Sequence, residues 1–146
     1  MVLNETMRLY PPIVAMTRMV EKDTRLGGVE EEDAVVIPAG TEIVLPVLMW
    51  HHEAEYSGND TDEFRPKLFE GGVAKACQVP GAYLPFSTGP RVCIGQGFAM
   101  MEAKMVLAAI LRSFRFHLLP SYRHAPAIVV TLQPQFGMQI TFTHLN

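Results

Sequence analysis

The 146-residue sequence predicts a mainly α fold with small β-sheets, an α+β arrangement. Three observations carry that reading. Gly95–Phe114 repeats apolar residues at helical spacing over a long stretch. Short apolar runs elsewhere have strand character. Eleven Gly and eleven Pro cut the remainder into pieces too short for a large sheet.

In chain order, Val2–Tyr10 places Leu3, Met7 and Tyr10 on one helical face. Pro11-Pro12 stops it, because proline disfavours helix in the residue before it. Met1 falls inside the helical pattern with no cap, and so short a helix is marginal without packing. Ile13–Val20 and Ala34–Ile37 read as strands, and Glu42–Leu48 as a strand or buried apolar segment. Gly27–Asp33 reads as a solvated acidic loop, and Pro38-Ala39-Gly40 as a turn. Trp50–Pro85 is mostly irregular, which is unusual inside a compact domain and suggests a meander wrapped against something else. In Gly95–Phe114 the stripe is Phe98, Met101, Met105, Ala108 and Leu111 with Ile110. The methionines Met100, Met101 and Met105 are expected in the core. Ala127–Leu132 reads as a strand, Gln133–Gly137 as a turn and Met138–Phe142 as a strand. No internal repeat is present.

Composition excludes several classes. Hydrophobic content of 49% with 18% charge is not that of a disordered chain. Two Cys cannot staple a disulfide-dense scaffold. A net charge of −3 gives no reason to expect nucleic-acid binding. No apolar run approaches the ~18 to 20 residues of a membrane span, and Ile43–Trp50 is interrupted by Pro46. Glu5 and Arg8 follow too soon for a signal peptide. These features alone describe a soluble, intracellular, single globular unit.

The most informative segment is Phe86-Ser-Thr-Gly89-Pro90-Arg91-Val92-Cys93-Ile94-Gly95. A Gly-Pro turn presents Cys93 directly before the long helix. Sulfur there lies at the positive end of the helix dipole, where negative charge is favoured. Arg91 adds positive charge, and Gly89 and Gly95 permit close approach by a flat ligand. A pre-organised thiolate suits metal ligation or nucleophilic work. Cys93 alone would more often be a buried structural thiol; the surrounding spacing reverses that preference.

This segment resembles the haem-binding loop of the cytochromes P450, Phe-x-x-Gly-x-Arg-x-Cys-x-Gly, at every fixed position: Phe86, Gly89, Arg91, Cys93 and Gly95. The resemblance implies Cys93 thiolate as axial ligand of haem iron, an arrangement known for that family. It implies Arg91 pairing with a haem propionate and Phe86 packing near the thiolate. Arg18 matches a position that often contacts the propionates, or is a solvated strand residue. Glu5-x-x-Arg8 would ordinarily be an exposed pair worth ~0.2 to 0.5 kcal/mol. In the family it is a buried structural pair beneath the haem loop.

Two positions depart from the family pattern. Phe64-Arg65-Pro66-Lys67-Leu68-Phe69 resembles the segment Phe-x-Pro-x-Arg-Phe, with Leu68 where the family has Arg. Glu5 is then expected to be less well satisfied and the meander less firmly anchored. Ser57 stands where related sequences carry Trp.

Other candidates are weaker. His51-His52-Glu53 lacks the second histidine of a zinc motif, since Tyr56 stands there. Gly95-Gln-Gly97 lacks the third glycine of a dinucleotide fingerprint, where Met100 stands. Gly97 costs the helix ~1 kcal/mol relative to Ala. Cys77 reads as a surface thiol, and a Cys77–Cys93 disulfide would abolish the ligand.

The resemblance runs through essentially the whole chain, residues 1–146, as a C-terminal portion of the family's fold. With Pro120–Pro126 and Thr131–Gln135 it resembles plant microsomal hydroxylases of fatty acids, hormones and terpenoids. It implies a haem-thiolate monooxygenase acting on a small lipophilic substrate, with electrons from NADPH through NADPH–cytochrome P450 reductase. Lys104 and Arg112 fit a docking surface for that partner or a plain solvated face. Full-length relatives are expected at the cytosolic face of the endoplasmic reticulum membrane, and no anchor is legible here. The distal wall and the acid–alcohol pair of the central helix are not recognisable. This chain alone is therefore expected to be inactive, and the alternative is a truncated, non-catalytic remnant that binds haem weakly or not at all. A small binding module with a structural Cys leaves the loop signature unexplained. Ile13–Met16 and Phe136–Met138 are expected at the surviving edge of a substrate pocket. Leu68→Arg is expected to raise the melting temperature of the folded chain; no rise would count against a missing third partner for Glu5.

Overall fold

The computed structural model describes residues 1–27 and 34–145. Helix α1 spans Val2–Leu9 and ends ahead of the proline pair, with Tyr10 outside helical geometry. A folded-back ribbon follows. In it β1 (Met16–Met19) pairs antiparallel with β4 (Glu42–Leu45), and β2 (Thr24–Leu26) with β3 (Val35–Ile37). Its corner is fastened by Val20 N–H donating to Thr41 O (2.9 Å) and Gly40 N–H donating to Val20 O (2.7 Å). The Asp23 carboxylate accepts from Ala39 N–H at 2.8 Å. Gly40 adopts φ +83°, which glycine tolerates best. The acidic loop expected over Gly27–Asp33 falls, beyond Gly27, on residues 28–33, outside the described residues.

Several expected boundaries are corrected. The strand expected over Ile13–Val20 is paired only from Met16, and the Glu42–Leu48 segment divides at Pro46. Proline has no N–H for the ladder but suits a helix start, so Val47–His52 forms α2. The stretch expected to be irregular contains α3 (Ala54–Ser57), a 3-10 turn at Pro66–Phe69 and α4 (Val73–Ala76). Elements this short carry too few turns to show a period.

Helix α5 spans Gln96–Ser113, and β5 (Phe114–Leu118) follows it directly. The run Ala127–Leu132 is not one strand: β6 (Pro126–Val129) and β7 (Thr131–Pro134) pair with each other across Val130. Val130 has φ +66°, a conformation its β-branched side chain does not announce. Gln133 and Pro134, expected in a turn, belong to β7, and the chain reverses near Gly137 at φ +69°. β8 (Ile140–His144) pairs with β5.

The core lies where α1, α2, the 3-10 turn at Pro66–Phe69 and the Tyr83–Leu84 segment meet. Its apolar members are Leu9, Val20, Val47, Phe69, Ala76 and Leu84. Four polar residues are buried as well: Glu5, Arg8, His51 and Ser57. The Phe69 and Tyr83 rings meet edge-on at 5.0 Å. Helix α5 buries none of its residues. Phe98, Met101 and Met105 are each more than half exposed and Met100 is half-buried, so the methionines expected in the core are not part of it. The stripe has helical spacing, but no other described element covers it.

Leu9→Ala is expected to cost about 2 to 5 kcal/mol, whereas Phe98→Gln should stay within about 0.5 kcal/mol. Urea unfolding of both variants checks this; comparable losses would show that the α5 stripe is packed after all.

Candidate functional site

The loop before α5 is held by its own backbone. Ser87 N–H donates to Leu84 O (3.1 Å), closing a turn in which Ser87 has φ +65°. A 3-10 turn at Gly89–Arg91 follows, entered through Gly89 at φ +68°. Val92 N–H returns to Gly89 O at 3.1 Å. Cys93 is then fixed at both ends of its peptide unit. Its N–H donates to Phe86 O (2.9 Å), and its carbonyl accepts from Gln96 N–H (3.2 Å) as α5 begins.

The Cys93 side chain is exposed rather than a buried structural thiol. A Cβ built on Gly95 would stand 3.8 Å from the Cys93 sulfur, while one on Gly89 would meet nothing within 4 Å. Gly95 thus leaves the space beside the sulfur open, whereas Gly89 serves the positive φ of the turn. Val92 and Ile94 flank it, with Ile94 fully exposed. Arg91 is exposed on the preceding turn. Arg18 reaches the loop from β1, donating to Ser87 Oγ at 2.9 Å and to Thr17 O at 3.0 Å. Phe86 lines a cavity of ≈ 480 Å³ with Met7, Tyr83, Gln96 and Met100. Its carbonyl accepts the Cys93 N–H.

No three His, Cys, Asp or Glu among the described residues cluster as a metal site. Cys93 therefore offers a single soft donor with apolar flanks and arginines at the edge. That donor set fits a metal carried in a flat macrocycle with anionic substituents. Cys77, expected at the surface, is half-buried, and burial pushes its thiol pKa up. Both cysteines are free.

Helix α1, whose Asn4 O accepts the Tyr83 hydroxyl at 3.0 Å, carries a buried ion pair. Arg8 and Glu5 are 1% and 0% exposed, which removes them from the class of weak surface bridges. Arg8 Nε and Nη2 donate to the two Glu5 oxygens at 2.8 and 2.9 Å. Its other donors go to the carbonyls of His51 (3.2 Å), Thr61 (2.7 Å) and Glu63 (2.9 Å). All five guanidinium N–H groups are used. Glu5 also accepts Arg65 backbone N–H at 2.7 Å. Burial works to raise the Glu5 pKa, but the bonds from Arg8 and Arg65 outweigh it and hold the carboxyl below its ordinary value. The carboxylate expected to lack a partner thus has three bonds, one from the backbone of the segment in which Leu68 replaces arginine.

The remaining members were missed in the sequence. His51 is buried, stacked on Tyr83 at 5.4 Å. Its Nδ1–H donates to Arg8 O (3.1 Å), and its Nε2 accepts Leu84 N–H (2.8 Å). Ser57 is buried and donates to His51 O at 2.9 Å. The His51-His52 doublet was the available signal, but it points to a zinc motif only if read along one helix. Ser57 and Leu68 line one cavity of ≈ 320 Å³, so the two departures are neighbours in space.

Burial first, then the charges of Arg8 and His52, depress the His51 pKa from 6.5 to about 4, against backbone bonding that raises it. The unfolded chain gains this proton as pH falls through 6.5, and the folded chain resists until about 4. Stability is therefore full above pH 6.5 and falls by about 3 kcal/mol on the way to pH 4. Glu5 adds a further loss below its ordinary carboxyl range. Urea unfolding across this window should show the decline, and His51→Gln should abolish the part above pH 4.5; an unchanged slope would contradict it.

The cytochrome P450 family model matches residues 1–139. Secologanin synthase 1 of Catharanthus roseus is 48% identical over 146 residues, covering 100% of this chain and 27% of that protein. Cytochrome P450 734A1 of Arabidopsis thaliana is 46% identical over 146 residues, covering 100% of this chain and again 27% of the relative. The structure of retinoic acid bound cyanobacterial CYP120A1 superposes with a TM-score of 0.84 at 25% identity, covering 99% of this chain and 32% of that one. The chain thus spans about a quarter of the length of these curated relatives. Its helices and small sheets are part of the P450 fold, and the chain belongs to the cytochrome P450 family.

Proposed function

We propose that this chain is the haem-ligand portion of a haem-thiolate monooxygenase, with Cys93 as the axial ligand. The observation that carries the reading is the exposed Cys93 sulfur, presented at the start of α5 by a peptide unit bonded on both sides. Bound haem supplies the redox chemistry by which one oxygen atom of O2 enters a lipophilic substrate. The chain's residues do the holding. Gly95 keeps the space beside the sulfur free, and Val92 and Ile94 supply apolar contact. Arg91 and Arg18 neutralise the propionates, with Arg18 already fixed to the loop through Ser87. Electrons come from NADPH through a partner reductase, for which Lys104 and Arg112 on α5 offer positive charge.

No helix among the described residues is long and apolar enough to cross a membrane. In this reading the endoplasmic reticulum membrane is the site of the longer relatives. A second reading, a non-catalytic remnant that binds haem weakly or not at all, is favoured by the few apolar groups set around the exposed sulfur, with Ile94 itself fully exposed.

The test is spectroscopic. The chain is loaded with haem, reduced and treated with carbon monoxide. A red-shifted thiolate band is expected in the wild type and should vanish in Cys93→Ala. Absence of the band in both would overturn the ligand assignment; turnover of a lipophilic substrate with reductase would overturn the second reading.

A further inference from the structure

We propose that His51 is a positioning residue for Cys93, coupling the buried Glu5–Arg8 pair to the loop that presents the thiol. The proposal builds on Cys93 as haem ligand, but its geometry stands apart from any bound group. The path is continuous. Arg8 O accepts His51 Nδ1–H at 3.1 Å, and His51 Nε2 accepts Leu84 N–H at 2.8 Å. Leu84 O accepts Ser87 N–H at 3.1 Å, closing the turn that carries Phe86. Phe86 O accepts Cys93 N–H at 2.9 Å. Displacement of the Leu84 amide therefore moves the acceptor from which the Cys93 peptide hangs.

The chemistry of the ring suits this work. One group must donate to Arg8 and accept from Leu84 at its opposite end. Neutral imidazole with the proton on Nδ1 does both; the charged form has no acceptor for Leu84. The ring cannot turn easily. It is 1% exposed and stacked on Tyr83, whose hydroxyl donates to Asn4 O at 3.0 Å. Its backbone carbonyl is held by Arg8 Nη1 and Ser57 Oγ. Arg18 grips the same turn from the solvent side, through Ser87 Oγ. His51 is the anchor on the protein side, and without it the Leu84 N–H becomes a buried donor lacking this partner.

Asparagine and glutamine separate positioning from bulk stability. The Asn amide lies near the Nδ1 position and retains a donor towards Arg8, but does not reach Leu84. The Gln carbonyl reaches the Nε2 position and restores the acceptor. Amide hydrogen exchange is measured in the intact, haem-free chain for wild type, His51→Asn and His51→Gln. Arg65 N–H, bound to Glu5, reports the ion-pair core. In His51→Asn, Leu84 and Cys93 amides should exchange about tenfold faster than in wild type, with Arg65 unchanged. In His51→Gln, both should return to within about threefold of wild type. The haem-loaded proteins should show a smaller thiolate band with carbon monoxide in His51→Asn, and recovery in His51→Gln.

Acceleration of Leu84 without Cys93 would overturn the proposal, because the loop would then be set independently of His51. So would equal acceleration of all three amides in both variants, which marks His51 as core packing. If wild type takes up no haem, the ligand reading fails while the exchange pattern still decides the role of His51.

Discussion

The Arg8 guanidinium is the interaction on which the described structure most depends. It joins five acceptor atoms on four residues from three parts of the chain: Glu5 on its own helix, His51 on α2, and Thr61 and Glu63 in the meander. A buried cation with even one donor unmet would be costly. The meander is thus obliged to bring its backbone carbonyls to α1. This constraint explains how a stretch with many glycines and prolines keeps a definite path with little regular structure. Its order comes from bonds to a side chain rather than from a ladder of its own.

The site inherits that order. Cys93 lies in an exposed loop, where backbone alone fixes position poorly, yet its peptide unit is bonded at both ends and the turn before it is held from two sides. The polar core and the exposed thiol are therefore connected parts of one arrangement. An apolar core of equal volume would give stability but no directional hold on the loop, since hydrophobic contact does not select orientation. The exposed α5 stripe and the solvent-open sulfur share another property. Both are open surfaces, a free thiol at one and apolar side chains along the other.

Much of the candidate site's geometry was legible because it is local. Phe86, Gly89, Arg91, Cys93 and Gly95 lie within one loop, and backbone reversal, positive φ and a helix start are imposed by neighbours in sequence. Glu5 and Arg8 were legible as a pair for the same reason, being one helical turn apart. Spacing alone did not show their burial, which the family resemblance implied and which depends on carbonyls more than forty residues away. The satisfaction of Glu5 was misjudged on similar grounds. Attention to side chains predicted a missing arginine at Leu68, whereas the third bond comes from a backbone N–H.

Periodicity and the geometry of glycine and proline were enough to set the long helix, the presentation of Cys93 just before it and the stop after α1. Long-range packing was needed to show that a single apolar run is a hairpin reversed at Val130, that the methionine stripe is uncovered, and that His51, already unfit for a zinc motif by its spacing, is a core hydrogen-bonding hub. The physical reason is common to these cases. Each depends on which distant groups arrive at a given place, and hydrogen bonds and burial are satisfied by position in space, not by separation along the chain.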